Sequence, residues 1–276
     1  MTATSIIIIL LVTGISVGFI GGLLGVGGGF IMIPIQYMVF TGMGVPEDVA
    51  IKLAFGTNLA VVLPAAASGA WQHNKKGAVY WKAAIVMGGC GMVVAYAGAA
   101  LAAHIAGAVL KIAFGAIILL AVIGMLVARR PLVEQEPDKD NPWLWVAWAV
   151  PVGTVSGILG IGGGVLMVPV MVLALKFKMH NAVATSLAVI IFTSAGGVIG
   201  YAINGIGVPH LPAYSIGYIN LISWFLLMIG SVTMMPVGAI TAHKVPARRL
   251  RYIFILLMFY MGLKMLGTFD WLGWPI

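Results

Sequence analysis

Residues 21–34 read GGLLGVGGGFIMIP, and residues 156–169 read SGILGIGGGVLMVP. Glycine weakens a helix interior more than any residue but proline, so two glycine clusters inside apolar runs mark two deliberate interruptions. The match between them is positional. Gly18, Gly22, Gly25, Gly27, Gly28, Gly29 and Pro34 recur 135 residues later as Gly153, Gly157, Gly160, Gly162, Gly163, Gly164 and Pro169. Downstream, GTNLAVV (56–62) parallels ATSLAVI (184–190), and GAALAAHIAGAVLKIAF (98–114) parallels GAITAHKVPARRLRYIF (238–254). The chain therefore reads as one unit used twice: a first transmembrane repeat over 1–128, a polar linker over 129–142 expected in the cytoplasm, and a second repeat over 143–276.

Composition sets the solvent of this duplicated unit. Hydrophobic residues make up 62% of the chain and charged residues 8%, with a mean hydropathy of +1.11. A soluble domain carries about 25% charged residues, so the chain is expected to be an all-α integral membrane protein. Backbone polar groups must be paired inside lipid, and the alternating pattern of a barrel strand is absent, which leaves helices. No basic residue precedes the first apolar run, so a cleaved leader is not expected. Cys90 is the single cysteine and forms no internal disulfide. The net charge of +8 is read as loop charge facing lipid headgroups, with no nucleic-acid partner.

The distribution of Lys and Arg tests how the repeats are oriented. If residues 5–40 formed one helix, each half would cross four times and the basic residues would divide almost evenly between the two sides. If the glycines instead break the segment into a pair, 5–24 and 30–40, matched by 143–160 and 165–175, the pattern changes. Three further crossings, near 49–72, 80–102 and 107–128 in the first half, then return the chain to the opposite side. Lys75, Lys76, Lys82, Arg129, Arg130, Lys139, Lys176, Lys178, Lys244, Arg248, Arg249 and Arg251 now share one face, against Lys52 and Lys111 on the other. The positive-inside rule thus selects two inverted repeats, each a Gly-broken helical hairpin plus three transmembrane helices. Both termini lie outside and the linker inside, in what is expected to be a bacterial inner membrane. The parity holds whether the hairpin is re-entrant or crosses fully. The segment FIMIPIQYMVF (30–40) favours re-entry, since it would be roughly 17 Å long against about 30 Å of hydrocarbon.

A glycine turn followed by a helix N-terminus offers unpaired N–H groups and the positive end of the helix dipole to an anion. On that argument Gly27, Gly28 and Gly29 with Gly162, Gly163 and Gly164 are expected at a substrate site. The spaced pairs Gly18/Gly22 and Gly153/Gly157 read instead as helix-packing contacts. Thr57 and Asn58, matched by Thr185 and Ser186, are expected to complete that substrate site by donating to oxyanion oxygens, Asn58 foremost; the alternative for a Ser or Thr is a bond to the i−4 carbonyl of its own helix. Thr193 and Ser194 are weaker candidates further along the same helix, and Gln36 and Tyr37 are placed where they could face a cavity. His73 is expected in solvated loop charge beside Lys75 and Lys76. No carboxylate falls inside an expected span, so a buried acidic proton relay is not indicated. No metal cluster, cofactor motif or nucleophile–base pair appears, and an enzyme is not expected.

The paired GGLLGVGGG and SGILGIGGG, each followed by an apolar run ending in Pro, then TNLAV and TSLAV, and GAVYW after HNKKG, resemble the TauE/SafE family of sulfite exporters. The resemblance covers nearly the whole chain and implies a secondary transporter exporting a small anion, sulfite or another small organosulfur anion. It departs at Tyr201, which stands where the first copy has His73, and at NGIG in place of NKKG, so a role for His73 would be one-sided. An anion channel, or a carrier taking up a short carboxylate, is the alternative. The expected partners are the anion and the bilayer; a homodimer is compatible with the sequence.

Overall fold

The computed structural model describes residues 2–127, 141–242 and 247–268, so the linker at 129–140 lies outside the described residues. The order of elements is α1 (Ala3–Leu24), α2 (Gly29–Gly42), α3 (Glu47–Asn74), α4 (Trp81–Ala103), α5 (Gly107–Val127), α6 (Pro142–Leu159), α7 (Gly164–Leu173) and α8 (Met179–Asn204). A two-stranded ribbon, β1 (Ser215–Ile216) and β2 (Ile219–Asn220), then precedes α9 (Leu221–Ala242) and α10 (Ala247–Met265). Among the described residues α1, α3, α4, α5, α6, α8 and α9 are long and apolar enough to cross a membrane. Their outer faces carry Ile8, Val12, Val93, Leu101, Leu120 and Phe225 in the open. In water that would be an apolar surface far beyond what a soluble monomer tolerates; in lipid it is the expected face.

Both interruptions fall where the glycine clusters stand. α1 ends on Gly25, whose N–H donates to the Gly21 carbonyl, and α2 starts after Gly28. α6 ends on Gly160, whose N–H donates to the Ser156 carbonyl, and α7 starts after Gly163. Gly25, Gly27 and Gly28 have φ of +73°, +71° and +79°, and Gly160, Gly162 and Gly163 have +63°, +78° and +95°. Side chains with a Cβ rarely adopt this left-handed region, and the turn repeats it residue for residue. The hairpin arms are unequal. α1 at 22 residues is about 33 Å long, whereas α2 and α7, at 14 and 10 residues, reach only about 21 and 15 Å.

The termini of α3 name the two ends of the bundle, the Glu47 end and the Asn74 end. α9 runs beside α3 in the same direction: the Asn220 N–H donates to Thr57 Oγ1 at 2.9 Å, the Trp224 indole N–H to the Ala60 carbonyl at 2.9 Å, and the Ser68 hydroxyl to the Val232 carbonyl at 2.9 Å. α1 lies parallel to α9, with Gly14, Gly18 and Gly22 set against the backbone of Leu227, Ser231 and Met235. A methyl on Gly22 would collide with the Met235 carbonyl, which is the packing role expected of this spacing. α2 comes back to the Glu47 end, where the Tyr37 hydroxyl donates to Glu47 at 2.8 Å.

The helices of the second half pack against this group. α8 is antiparallel to α3, with Gly197 against Leu59 and Gly69 against Leu187. α6 runs parallel to α4, Gly153 against Gly91 and Gly157 against Ala95. α7 returns to the Asn74 end, where Phe177 and Trp145 pack edge-on to Tyr80 with centroids 5.8 and 5.9 Å away. The first hairpin thus opens at the Glu47 end and the second at the Asn74 end. α3 and α8, buried along most of their length, form the centre on which both hairpins rest.

Two features depart from the expectations. The connection from α8 to α9 contains the ribbon, with Gly217 at φ +54°, while the matching connection from α3 to α4 has no strand. His73, placed by sequence in solvated loop charge, is 1% exposed and its Nε2 lies 3.5 Å from the Gly22 carbonyl. α3 continues as regular helix to Asn74, so position 73 falls on the buried stripe of Ala66, Gly69 and Ala70 and turns toward α1.

Candidate functional site

The two turns meet at the middle of the bundle. A methyl on Gly29 would lie 3.0 Å from the Ile161 carbonyl oxygen, and one on Gly164 would lie 2.5 Å from Val26 Cα. Val62 and Ile190, near the midpoints of α3 and α8, both approach Gly27 and Gly162. Neither turn has room for side chains at these positions, which is why the backbones come together.

The four matched polar residues brace this meeting. Asn58 Nδ2 donates to the Gly160 carbonyl at 2.7 Å, and Ser186 Oγ donates to the Gly25 carbonyl at 2.5 Å. Each therefore holds the last helical carbonyl before the other half's turn, a group that a helix end leaves unpaired. Thr57 Oγ1 accepts from the Asn220 N–H at 2.9 Å, and Thr185 Oγ1 accepts from the Tyr80 N–H at 3.0 Å. Asn220 and Tyr80 stand immediately before α9 and α4, so these bonds are also a matched pair across the halves. All four bonds run between the halves, and Ser186 Oγ also donates within its own helix, to the Val183 carbonyl at 2.9 Å.

Apart from Val62 and Ile190, which stand against both, the two turns are lined differently. At the first turn, a methyl on Gly27 would lie 2.8 Å from Val62 Cγ1, one on Gly28 would meet Val17, and one on Gly21 would lie 3.3 Å from Met235 Cε. At the second turn, the nearest atom to a methyl on Gly162 is Ser194 Oγ at 3.1 Å, and for Gly163 it is Ser156 Oγ at 3.5 Å, with Thr193 Oγ1 at 3.8 Å. Thr193 Oγ1 donates to the Gly162 carbonyl at 2.7 Å. Ser156 and Ser194 are buried, and their hydroxyls have no hydrogen-bond partner. Ser194 had been a secondary expectation; Ser156 was missed. Its signal was nonetheless present, because Ser156 is the one position in SGILGIGGG where a hydroxyl replaces the glycine of GGLLGVGGG.

The other candidates lie apart from the turns. Tyr37 is committed to Glu47, and Lys111 Nζ stands 4.9 Å above its ring. Gln36 is fully buried with both amide atoms unpartnered, but it sits eight residues beyond Gly28, about 12 Å along α2. Among the described residues the acidic side chains are Glu47 and Asp48, both in the first turn of α3. Asp48 bonds Lys52 at 3.0 Å and accepts from the Gly107 N–H at 2.5 Å. Charge is thus gathered at the bundle ends, and the turns offer only neutral donors.

Comparison with known proteins gives this arrangement a family. The sulfite exporter TauE/SafE family matches residues 10–265. A probable membrane transporter protein of Methanocaldococcus jannaschii is 33% identical over 261 residues, covering 94% of each chain. One from Haemophilus influenzae is 25% identical over 94% of this chain and 97% of its own, and YunE, a probable membrane transporter protein of Bacillus subtilis, is 30% identical over 72% and 79%. No solved structure matches the chain. A family match over nearly the whole length, on a helical bundle with seven membrane-length helices among its described residues, leads to one conclusion: the chain belongs to the sulfite exporter TauE/SafE family of multi-pass membrane transporters and is not an enzyme.

Proposed function

We propose that this transporter is a secondary carrier exporting a small anion, sulfite or another small organosulfur anion, through one central site between two inverted repeats. The observation that carries the reading is the meeting of two left-handed glycine turns, each opening a helix N-terminus, near the midpoints of α3 and α8. The helix dipoles at those N-termini supply the positive field, and glycine lets a ligand approach the backbone. Thr57, Asn58, Thr185 and Ser186 hold the turns in register from outside, by the four bonds between halves. The antiparallel course of α3 and α8, with hairpins opening at opposite ends, supports the inverted relation. Non-helical backbone at membrane depth is tolerated where it is buried in protein or lines a polar cavity.

The described residues place no acidic side chain near the turns, which supports export driven by the membrane potential rather than by a buried carboxylate relay. An anion leaving a negative interior gains about 2.3 kcal/mol per charge per 100 mV. Rocking one repeat against the other around the braced turns would expose the site to alternate sides. The Asn74 end, which carries Lys75 and Lys76, is assigned to the cytoplasm.

The test is sulfite flux from proteoliposomes at clamped voltage, with and without a pH gradient. Voltage-driven flux without a pH gradient supports the scheme. Flux that follows pH alone rejects it, and single-channel currents would replace the carrier with a channel.

A further inference from the structure

The bound anion need not be shared equally by the two turns. We infer that the second turn is the substrate-holding subsite: the Ser156 and Ser194 hydroxyls, together with the N–H groups that open α7, bind an oxyanion there. The inference rests on the proposed anion-carrier reading and assigns the ligand to particular residues.

Three observations carry it. A helix N-terminus alone is a weak argument, and both halves have one. Only the second has buried hydroxyls with no partner beside it. Ser156 and Ser194 are 1% and 0% exposed, reach the turn from two helices, α6 and α8, and are the nearest groups to the outer faces of Gly163 and Gly162. Buried hydroxyls are normally satisfied, so two orphans converging on one turn mark a place where a partner belongs. Their counterparts at the first turn, Gly21 and Ala66, carry no polar side-chain atom. Finally, Thr193 donates to the Gly162 carbonyl, so an acceptor beside both hydroxyls that would repel an anion is already occupied.

A ligand with two or more acceptor oxygens satisfies both hydroxyls and leaves further oxygens for the α7 N–H groups. The donors are neutral, so the subsite holds its ligand by hydrogen bonds without neutralising it, which suits a cargo that must be released on the other side. Because no ionisable side chain contributes, binding follows the protonation of the ligand and not of the protein.

Sodium sulfite binding by the detergent-purified full chain tests this, read as an affinity and as the shift in melting temperature on adding sulfite. Ser156→Ala and Ser194→Ala should each weaken binding about ten-fold, as expected for a hydrogen bond to a charged group. Neither should lower the melting temperature of the ligand-free protein, since the hydroxyl removed was unpaired. Ser231→Ala is the converse control. Its hydroxyl donates to the Gly14 carbonyl at 3.2 Å, away from the turns, so the variant should lose stability and keep its affinity. If the parent binds sulfite and both turn variants bind it equally well, the hydroxyls serve water or nothing and the inference falls while the carrier reading stands. If the parent binds none of sulfite, sulfate, methanesulfonate or acetate, the carrier reading fails and takes the inference with it. Should Ser156→Ala misfold, Ser156→Cys keeps the volume with a poorer donor and must still weaken binding.

Discussion

Gly27 and Gly28 turn at φ +71° and +79° beside Val62 and Val17; Gly162 and Gly163 turn at +78° and +95° beside Ser156, Thr193 and Ser194, with Val62 and Ile190 against both turns. The backbone is the same and the rest of the lining is not. The contrast separates two constraints acting on a duplicated unit. Where the turns meet, each half is packed against the other, so the conformation of one turn fixes that of its mate and neither is free to drift. Val62 and Ile190 reach across to both turns and belong to that shared meeting. Ser156, Thr193 and Ser194 stand beside the second turn alone, so the two turns share a frame and differ in the hydroxyls set against it.

The largest effect should come from breaking the frame. Gly25→Ala and Gly160→Ala each force a Cβ into the left-handed region and against the backbone of Val183 or Phe55. Each should destabilise the protein by about 3 kcal/mol or more, and by similar amounts, because the two positions are equivalent. Denaturant titration in mixed micelles measures this; a large cost at one turn and none at the other would break the symmetry of the frame.

Removing the braces comes next. Asn58→Ala leaves the Gly160 carbonyl without its donor, and Ser186→Ala does the same to Gly25, each at about 1–3 kcal/mol. Asn58→Ser, which copies the residue used by the second half, should recover part of that loss in a melting experiment. Thr57→Val and Thr185→Val remove acceptors for the N–H groups before α9 and α4, and about 1 kcal/mol is expected for each. Unequal losses there would show that the ribbon at β1 and β2 supports α9 in a way that α4 lacks. The smallest effect is reserved for Ala66→Ser, which adds a hydroxyl beside the first turn. Its affinity for sulfite should stay within about two-fold of the parent; a large gain would mean that the first turn also holds ligand.

Much of this was legible in the residues because glycine carries a local meaning. The offset of 135 located both interruptions, and the structure ends α1 and α6 on the glycines so marked. Gly18, Gly22, Gly153 and Gly157 were readable as packing positions from their spacing alone. The pairing of Thr57 and Asn58 with Thr185 and Ser186 was readable, but their partners were not. Asn58 and Gly160 are separated by 102 residues, and no local rule connects them.

The sequence by itself determined that the chain lives in lipid, that its glycine motif occurs twice, and where each motif breaks its helix, since hydropathy and left-handed glycine turns depend on the residue and its near neighbours. Only the tertiary structure decided that each half braces the other's turn, that His73 points inward, and that two unpartnered hydroxyls converge on one turn. Hydrogen-bond satisfaction is a property of what packs against a side chain, and that is settled by the meeting of distant helices.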